Sequence, residues 1–210
     1  QVMESEDFLQ DIDRVAANVD DAFDVEDRSQ MAMAITSTLS VMDAASVEGG
    51  SSQASLEEVQ AKKRSLRKRF ISLLKNMTGD AADTGEQSAD NAVQSAQTVR
   101  EVVSKPEELD SESAREATSL LDSLITQQDE GSADDAGEKV AAPEEFVLSV
   151  ASGLVDILRS FRSTGNTTSG SGAGSASPPQ IVPVSAEAKH GTKQAVNVTR
   201  KLTKRLLPGM

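Results

Sequence analysis

VVSKPEELDSESAREATSLL, residues 102–121, is the stretch on which the fold turns. An apolar pattern stops at Val103, Lys-Pro-Glu-Glu-Leu follows, and a second helical pattern begins within a few residues. Pro106 lacks a backbone N–H and its ring crowds the preceding turn, so it cannot continue a helix and holds Lys105 extended. Glu107 and Glu108 read as solvent residues, and Leu109 as an anchor that tucks the turn against a core. Ser111 or Ser113 is expected to cap the following helix, with Glu116 three residues after Ser113. A connection this short favours neighbouring, roughly antiparallel helices.

The pattern extends outward on both sides of the joint. Ala92, Val93, Ala96, Val99, Val102 and Val103 form the stripe before it, and Ala117, Leu120, Leu121, Leu124 and Ile125 the stripe after it. Farther upstream, Ser55-Leu-Glu-Glu58 reads as a capping box ahead of Leu56, Val59, Leu66, Phe70, Leu73, Leu74 and Met77. Gly79 is expected to close that helix, and residues 79–87 to be a polar connection. Residues 6–19 carry Phe8, Ile12, Val15 and Val19 on one face, and residues 26–47 carry Ala34, Ile35, Leu39 and Met42. Downstream, Pro143-Glu144-Glu145 opens a helix lined by Phe146, Val150, Leu154, Ile157, Leu158 and Phe161. Ile181, Val182 and Val184 suggest a short extended piece. A last helix over 185–206 carries Ala188, Ala195, Val198, Leu202 and Leu206.

These stripes predict an all-α chain, an irregular bundle of about six to seven helices. It divides into an acidic N-terminal helical segment, residues 1–54, and a helical region, residues 55–210. Flexible insertions are expected at 129–142 and 163–180, where Gly, Ser, Ala and acids leave little to bury. Aromatic residues are only 2% of the chain, with no Trp or Tyr, so the core must come from Ala, Val, Leu, Ile and Met. Such residues suit helix-on-helix packing better than a β-sandwich.

The charge balance is 21 Lys and Arg against 34 Asp and Glu, net −13. That field repels nucleic acid and anionic lipid, so neither nucleic acid nor membrane contact is expected. The charge is uneven. Residues 1–30 carry Glu4, Glu6, Asp7, Asp11, Asp13, Asp20, Asp21, Asp24, Glu26 and Asp27 against Arg14 and Arg28. Residues 186–210 reverse this, with Lys189, Lys193, Arg200, Lys201, Lys204 and Arg205 against Glu187. Ends of opposite sign attract, although two solvated helix faces are the plainer reading. The absence of cysteine excludes disulfides, zinc–thiolate sites and thiol catalysis. No apolar run is long enough to span a bilayer. The chain begins at Gln1 and stops at Leu-Pro-Gly-Met, which reads as a fragment of a longer protein.

No constellation of catalytic residues stands out. His190 is the single histidine, and one histidine makes neither a His-rich metal site nor a Ser-His pair. Asp129-Glu130 and Asp134-Asp135 lack the calcium-loop pattern and read as a solvated acidic loop. The glycines at 165–174 have no lysine and no preceding strand, so they do not form a phosphate loop. The chain is therefore expected to be a non-enzyme without a cofactor or metal. KKRSLRKR, residues 62–69, looks like a nuclear-localisation or phosphate-binding tract. Helical spacing gives a plainer account: Leu66 and Phe70 point inward, and the basic residues fill the rest of the circumference, screened by acidic neighbours. Three N-glycosylation sequons begin at Asn76, Asn166 and Asn197. Asn76 is expected at a helix end and Asn166 in a flexible linker, which tilts the compartment toward extracellular.

VQSAQTVREVVSKPEELDSESAREATSLLDSLI, residues 93–125, resembles a segment of the polycystin-1-like and receptor-for-egg-jelly family. LRKRFISLLKNM, residues 66–77, is similar to the preceding helix of that region, and VTRKLTKRLLPGM, residues 198–210, to its final helix and exit. Together these stretches place the resemblance over about residues 55–210, in the helical subdomain of the autoproteolysis-inducing (GAIN) fold. The resemblance implies a non-catalytic, extracellular helical domain of a membrane protein, at the plasma or ciliary membrane. Its implied partners are a downstream β-sandwich subdomain of the same chain, an extracellular ligand, and a polycystin-2-like channel subunit. The family's His-Leu-Thr or His-Leu-Ser cleavage motif has no match here. A different reading is an intracellular helical scaffold whose helices associate as a bundle or coiled coil, with the acidic N-terminus and the basic KKRSLRKR as charged docking faces; the short, interrupted stripes count against long coiled coils.

Overall fold

The computed structural model describes residues 28–44, 53–84, 89–131, 142–164 and 186–206, together with Gln10, Arg14 and Ala17. Six α-helices and one 3-10 turn account for these stretches: α1 (Arg28–Ala44), α2 (Gln53–Thr84), α3 (Ala89–Val103), the 3-10 turn Pro106–Glu108, α4 (Ser111–Gly131), α5 (Glu144–Thr164) and α6 (Ala186–Leu206). No strand occurs among the described residues, so the chain is an all-α, irregular bundle. The extended piece expected at 181–184 and the stripe residues Phe8, Ile12, Val15 and Val19 lie outside the described residues.

The apolar stripes bury as their spacing requires. Ile35, Leu39 and Met42 of α1 meet Phe70, Ile71 and Leu74 of α2, Val99 and Val102 of α3, and Leu120, Leu121 and Leu124 of α4 in one continuous core. Phe146, Val150, Leu154, Ile157 and Phe161 bring in α5, and Ala195, Val198 and Leu202 bring in α6. Burying each large aliphatic or Phe side chain contributes about 1.5–3 kcal/mol. α3 and α4 are the inner helices. α3 packs most extensively on α5 and also touches α1, α2 and α4, while α4 touches α2, α3, α5 and α6. α1 and α6 therefore sit at opposite ends of the assembly.

The buried threonine hydroxyls are satisfied within their own helices. Thr38, Thr78, Thr98 and Thr118 each donate to the carbonyl four residues back, at 2.7–2.9 Å. Such back-bonding lets a polar residue sit in an apolar face without an unpaired group. Two glycines differ in what surrounds them. A Cβ on Gly191 would lie 2.2 Å from the Phe161 ring, so α6 crosses α5 where only glycine fits. A Cβ on Gly153 would make an ordinary contact, 3.5 Å from Leu121.

Several helix ends differ from the sequence expectation. α2 starts at Gln53, which places Ser55 inside the helix rather than at its cap. It continues through Gly79 to Thr84, because one exposed glycine costs a helix only about 1 kcal/mol and no proline follows. Residues 79–84 of the expected polar connection are therefore helical. α4 runs on to Gly131, which removes 129–131 from the expected 129–142 insertion, and α5 runs to Thr164. Pro143 precedes the first residue of α5 and accepts the Val147 N–H at 3.2 Å, close to its expected role at the helix start.

Candidate functional site

The joint between α3 and α4 holds the densest polar arrangement among the described residues. Lys105, at φ −115° and ψ 85°, leaves the helical region before Pro106, as the proline requires. The 3-10 turn closes through Glu108 N–H to Lys105 O (3.0 Å) and Leu109 N–H to Pro106 O (3.3 Å). Leu109 is buried, as expected for an anchor. The cap of α4 is Asp110, one residue before Ser111 and three before Ser113, the expected caps: its Oδ1 accepts the Ser113 N–H at 2.7 Å, and its carbonyl the Ala114 N–H at 3.0 Å. A carboxylate does this better than a serine hydroxyl because it also meets the positive end of the helix dipole.

Glu108 corrects the reading of the turn. It is 5% exposed, not a solvent residue. Its Oε2 accepts from Arg67 Nε at 2.6 Å, and its Oε1 lies 3.8 Å from Lys63 Nζ. Arg67 is wholly buried. Its remaining nitrogens reach Val102 O (2.7 Å), Glu101 O (3.3 Å) and Asp43 Oδ1 (2.7 Å). One guanidinium thus caps the last carbonyls of α3 and pairs with acids from α1 and from the turn. Arginine suits this place because its planar fork presents five donors and stays charged. A cation at a helix C-terminus is favourable as well.

The basic tract is therefore split. Arg64 and Arg69 are exposed, as a solvated circumference requires, but Lys63 and Arg67 lie inside beside Leu66 and Phe70. The acidic neighbours expected to screen the tract are Asp43 and Glu108 for Arg67, and Glu112 for Lys68. The hydrogen bond from Lys68 to the Glu112 carboxylate raises the lysine pKa above its ordinary 10.5. Slight desolvation opposes this, and the charges of Glu112, Asp110 and Glu116 add to it.

A groove of about 560 Å³ runs between α1 and α3. Ala32, Met33, Thr36, Ser37 and Ser40 line one wall, and Gln94, Gln97, Thr98, Arg100 and Glu101 the other. Ser29 and Gln94 hydrogen-bond beside it (3.3–3.4 Å).

The other sequence candidates are scattered. His190 is exposed on α6, near the start of that helix. Asn76 is exposed but lies within α2 rather than at a helix end, because α2 runs on past Gly79. Asn197 is exposed on α6, and Asn166 lies outside the described residues. Asp134, Asp135 and the glycines at 165–174 also lie outside them, as do the side chains of Asp129 and Glu130. Among the described residues no group of three or more His, Cys, Asp or Glu is placed to hold a metal ion, and no helix is long and apolar enough to cross a membrane. No family model matches the chain, and neither a curated protein nor a solved structure does.

Proposed function

We propose that the chain is a non-catalytic extracellular helical domain of a polycystin-1-like or egg-jelly-receptor-like membrane protein. Its work is mechanical: it holds a downstream self-cleaving β-sandwich subdomain, and it offers surface to an extracellular ligand or a polycystin-2-like channel subunit. One observation carries the reading. The three stretches that resemble this family, residues 66–77, 93–125 and 198–210, are bound to one another in space. Arg67 of the first holds Val102 and Glu108 of the second, and Lys201 of the third pairs with Asp122 of the second at 2.6 Å. A support domain needs this kind of fixed joint, since buried charges tolerate few alternative arrangements.

Glycopeptide mass spectrometry on the protein from its own cells tests the compartment. The expected result is glycan on Asn76, Asn166 or Asn197. Recovery from the cytosol, with all three asparagines unmodified, would overturn the reading and favour an intracellular scaffold.

A further inference from the structure

α5 is apolar on two faces. Phe146, Val150, Leu154, Ile157 and Phe161 turn toward the core. On the other side Leu148 is 59% exposed, and Val155, two turns farther along, is 48% exposed. Half-buried Ala151 and Ser152 lie between them on the same side. A helix with one face in the core ordinarily turns charge outward, and a single exposed apolar residue is unremarkable in a folded chain. Two large ones at a seven-residue spacing, with small residues between, form a seam on which a second helix packs.

The charges at the two ends of the seam point to the helix that fits it. Glu144 stands on this face one turn before Leu148, and Arg159 one turn after Val155. They are about 22 Å apart along the axis, too far to pair within one helix. Glu144 makes no ion pair among the described residues. Arg159 gives one nitrogen to Asp156 at 3.0 Å, and its side chain is 66% exposed. The helix dipole accounts for an acid at the start of α5 and a base at its end, but not for the apolar residues between them. Reversed, the order acid, apolar, small, apolar, base is its own complement. A two-fold axis between Ala151 and Ser152 sets Leu148 against Val155 of a second copy, and Glu144 against Arg159 of that copy, because both pairs are symmetric about that point.

We infer that the outer face of α5 is a homodimer interface, in which two copies pack this helix antiparallel across a two-fold axis. Ala151 and Ser152 let the two backbones approach at the axis. The seam has far fewer residues in each copy than the roughly 20–30 a side of a stable interface. The dimer is therefore weak and reversible, with a dissociation constant in the micromolar range or above. The pairing depends on α5 alone and not on the family to which the chain belongs.

Sedimentation equilibrium of the whole chain, from micromolar to millimolar concentration, tests it. Salt at about 0.15 M screens the repulsion of a net charge of −13 beyond about 8 Å. The mass is expected to rise with concentration from one chain toward two. Leu148→Glu/Val155→Glu should stay monomeric throughout, with helix content and unfolding midpoint unchanged, because both side chains are exposed. Glu144→Arg and Arg159→Glu should each weaken the dimer roughly tenfold or more. A mixture of these two variants should associate again, since each copy then meets opposite charge at both ends of an antiparallel pair. A chain that remains monomeric at every concentration would overturn the inference, and the face would belong to another part of the chain or to a different protein. A dimer that survives Leu148→Glu/Val155→Glu would overturn it too, because the contact would lie elsewhere. So would a mixture that associates no better than its components, because the helices would not be antiparallel.

Discussion

Replacing Arg67 by methionine keeps most of the side-chain volume and removes the guanidinium. Glu108, its side chain 6% exposed, is left with Lys63 Nζ at 3.8 Å as its nearest cation. Val102 O loses a 2.7 Å bond, whereas Glu101 O keeps the Ser104 hydroxyl at 2.8 Å. Asp43, its side chain 26% exposed, can turn toward water. The damage is therefore concentrated on one buried carboxylate and one carbonyl. Removing one partner of a buried pair costs about 3–5 kcal/mol, roughly a fifth or more of the stability of a domain held by roughly 5–15 kcal/mol. In urea, with a slope of about 2 kcal/mol/M, the midpoint should fall by roughly 2 M with the slope unchanged. Arg67→Met/Glu108→Gln removes both charges together and should recover a substantial part of the loss, because the orphaned carboxylate is gone. A loss below about 1 kcal/mol in the single variant, or no recovery in the double, would refute the claim that this pair clamps the joint.

Other positions give sharper or simpler outcomes. Leu121→Ala, at a side chain with no exposed surface, should cost about 2–5 kcal/mol by thermal or urea unfolding. Gly191→Ala should destabilise by about 1–3 kcal/mol, because its Cβ would meet the Phe161 ring at 2.2 Å. Gly153→Ala, with room at 3.5 Å, should instead be neutral or stabilise by up to about 1 kcal/mol, and equal effects at the two glycines would contradict the crossing described for α5 and α6. Glu112→Gln should bring the Lys68 pKa back toward 10.5, as read by NMR titration of its side chain. Since the folded pKa is raised, the stabilising effect of this pair is present below the unfolded pKa and disappears as pH rises through the folded one, above 10.5.

The helices were readable because period and burial coincide. Val99, Val102 and Val103 before the joint, and Leu120, Leu121 and Leu124 after it, are all buried where their spacing puts them. What spacing alone did not disclose is the charge inside. Charge normally marks solvent, so Lys63 and Arg67 read as circumference although they occupy the same face as Val59, Leu66, Phe70 and Leu74. The signal was present: positions 63 and 67 interrupt an otherwise apolar stripe at core-facing spacing. Glu108 is likewise inside because Arg67 reaches it from 41 residues away, a pairing no local pattern contains. Helix ends escape the local pattern for a related reason. Gly79 is a breaker by propensity, yet Thr78 just before it is buried and its carbonyl accepts from Gln127, so tertiary contact carries the helix past the glycine. The groove left no trace in the sequence, since it depends on how α1 settles against α3.

The family reading is tested most directly by sequencing the transcript past the codon for Met210. The expected result is about a hundred residues of β-alternating sequence, one domain's worth, with paired cysteines and a His-Leu-Thr or His-Leu-Ser ahead of an apolar span. A stop codon, or more Ser- and Gly-rich linker in that place, would contradict it. The joint at Pro106 would then be a turn between two helices that another kind of protein shares.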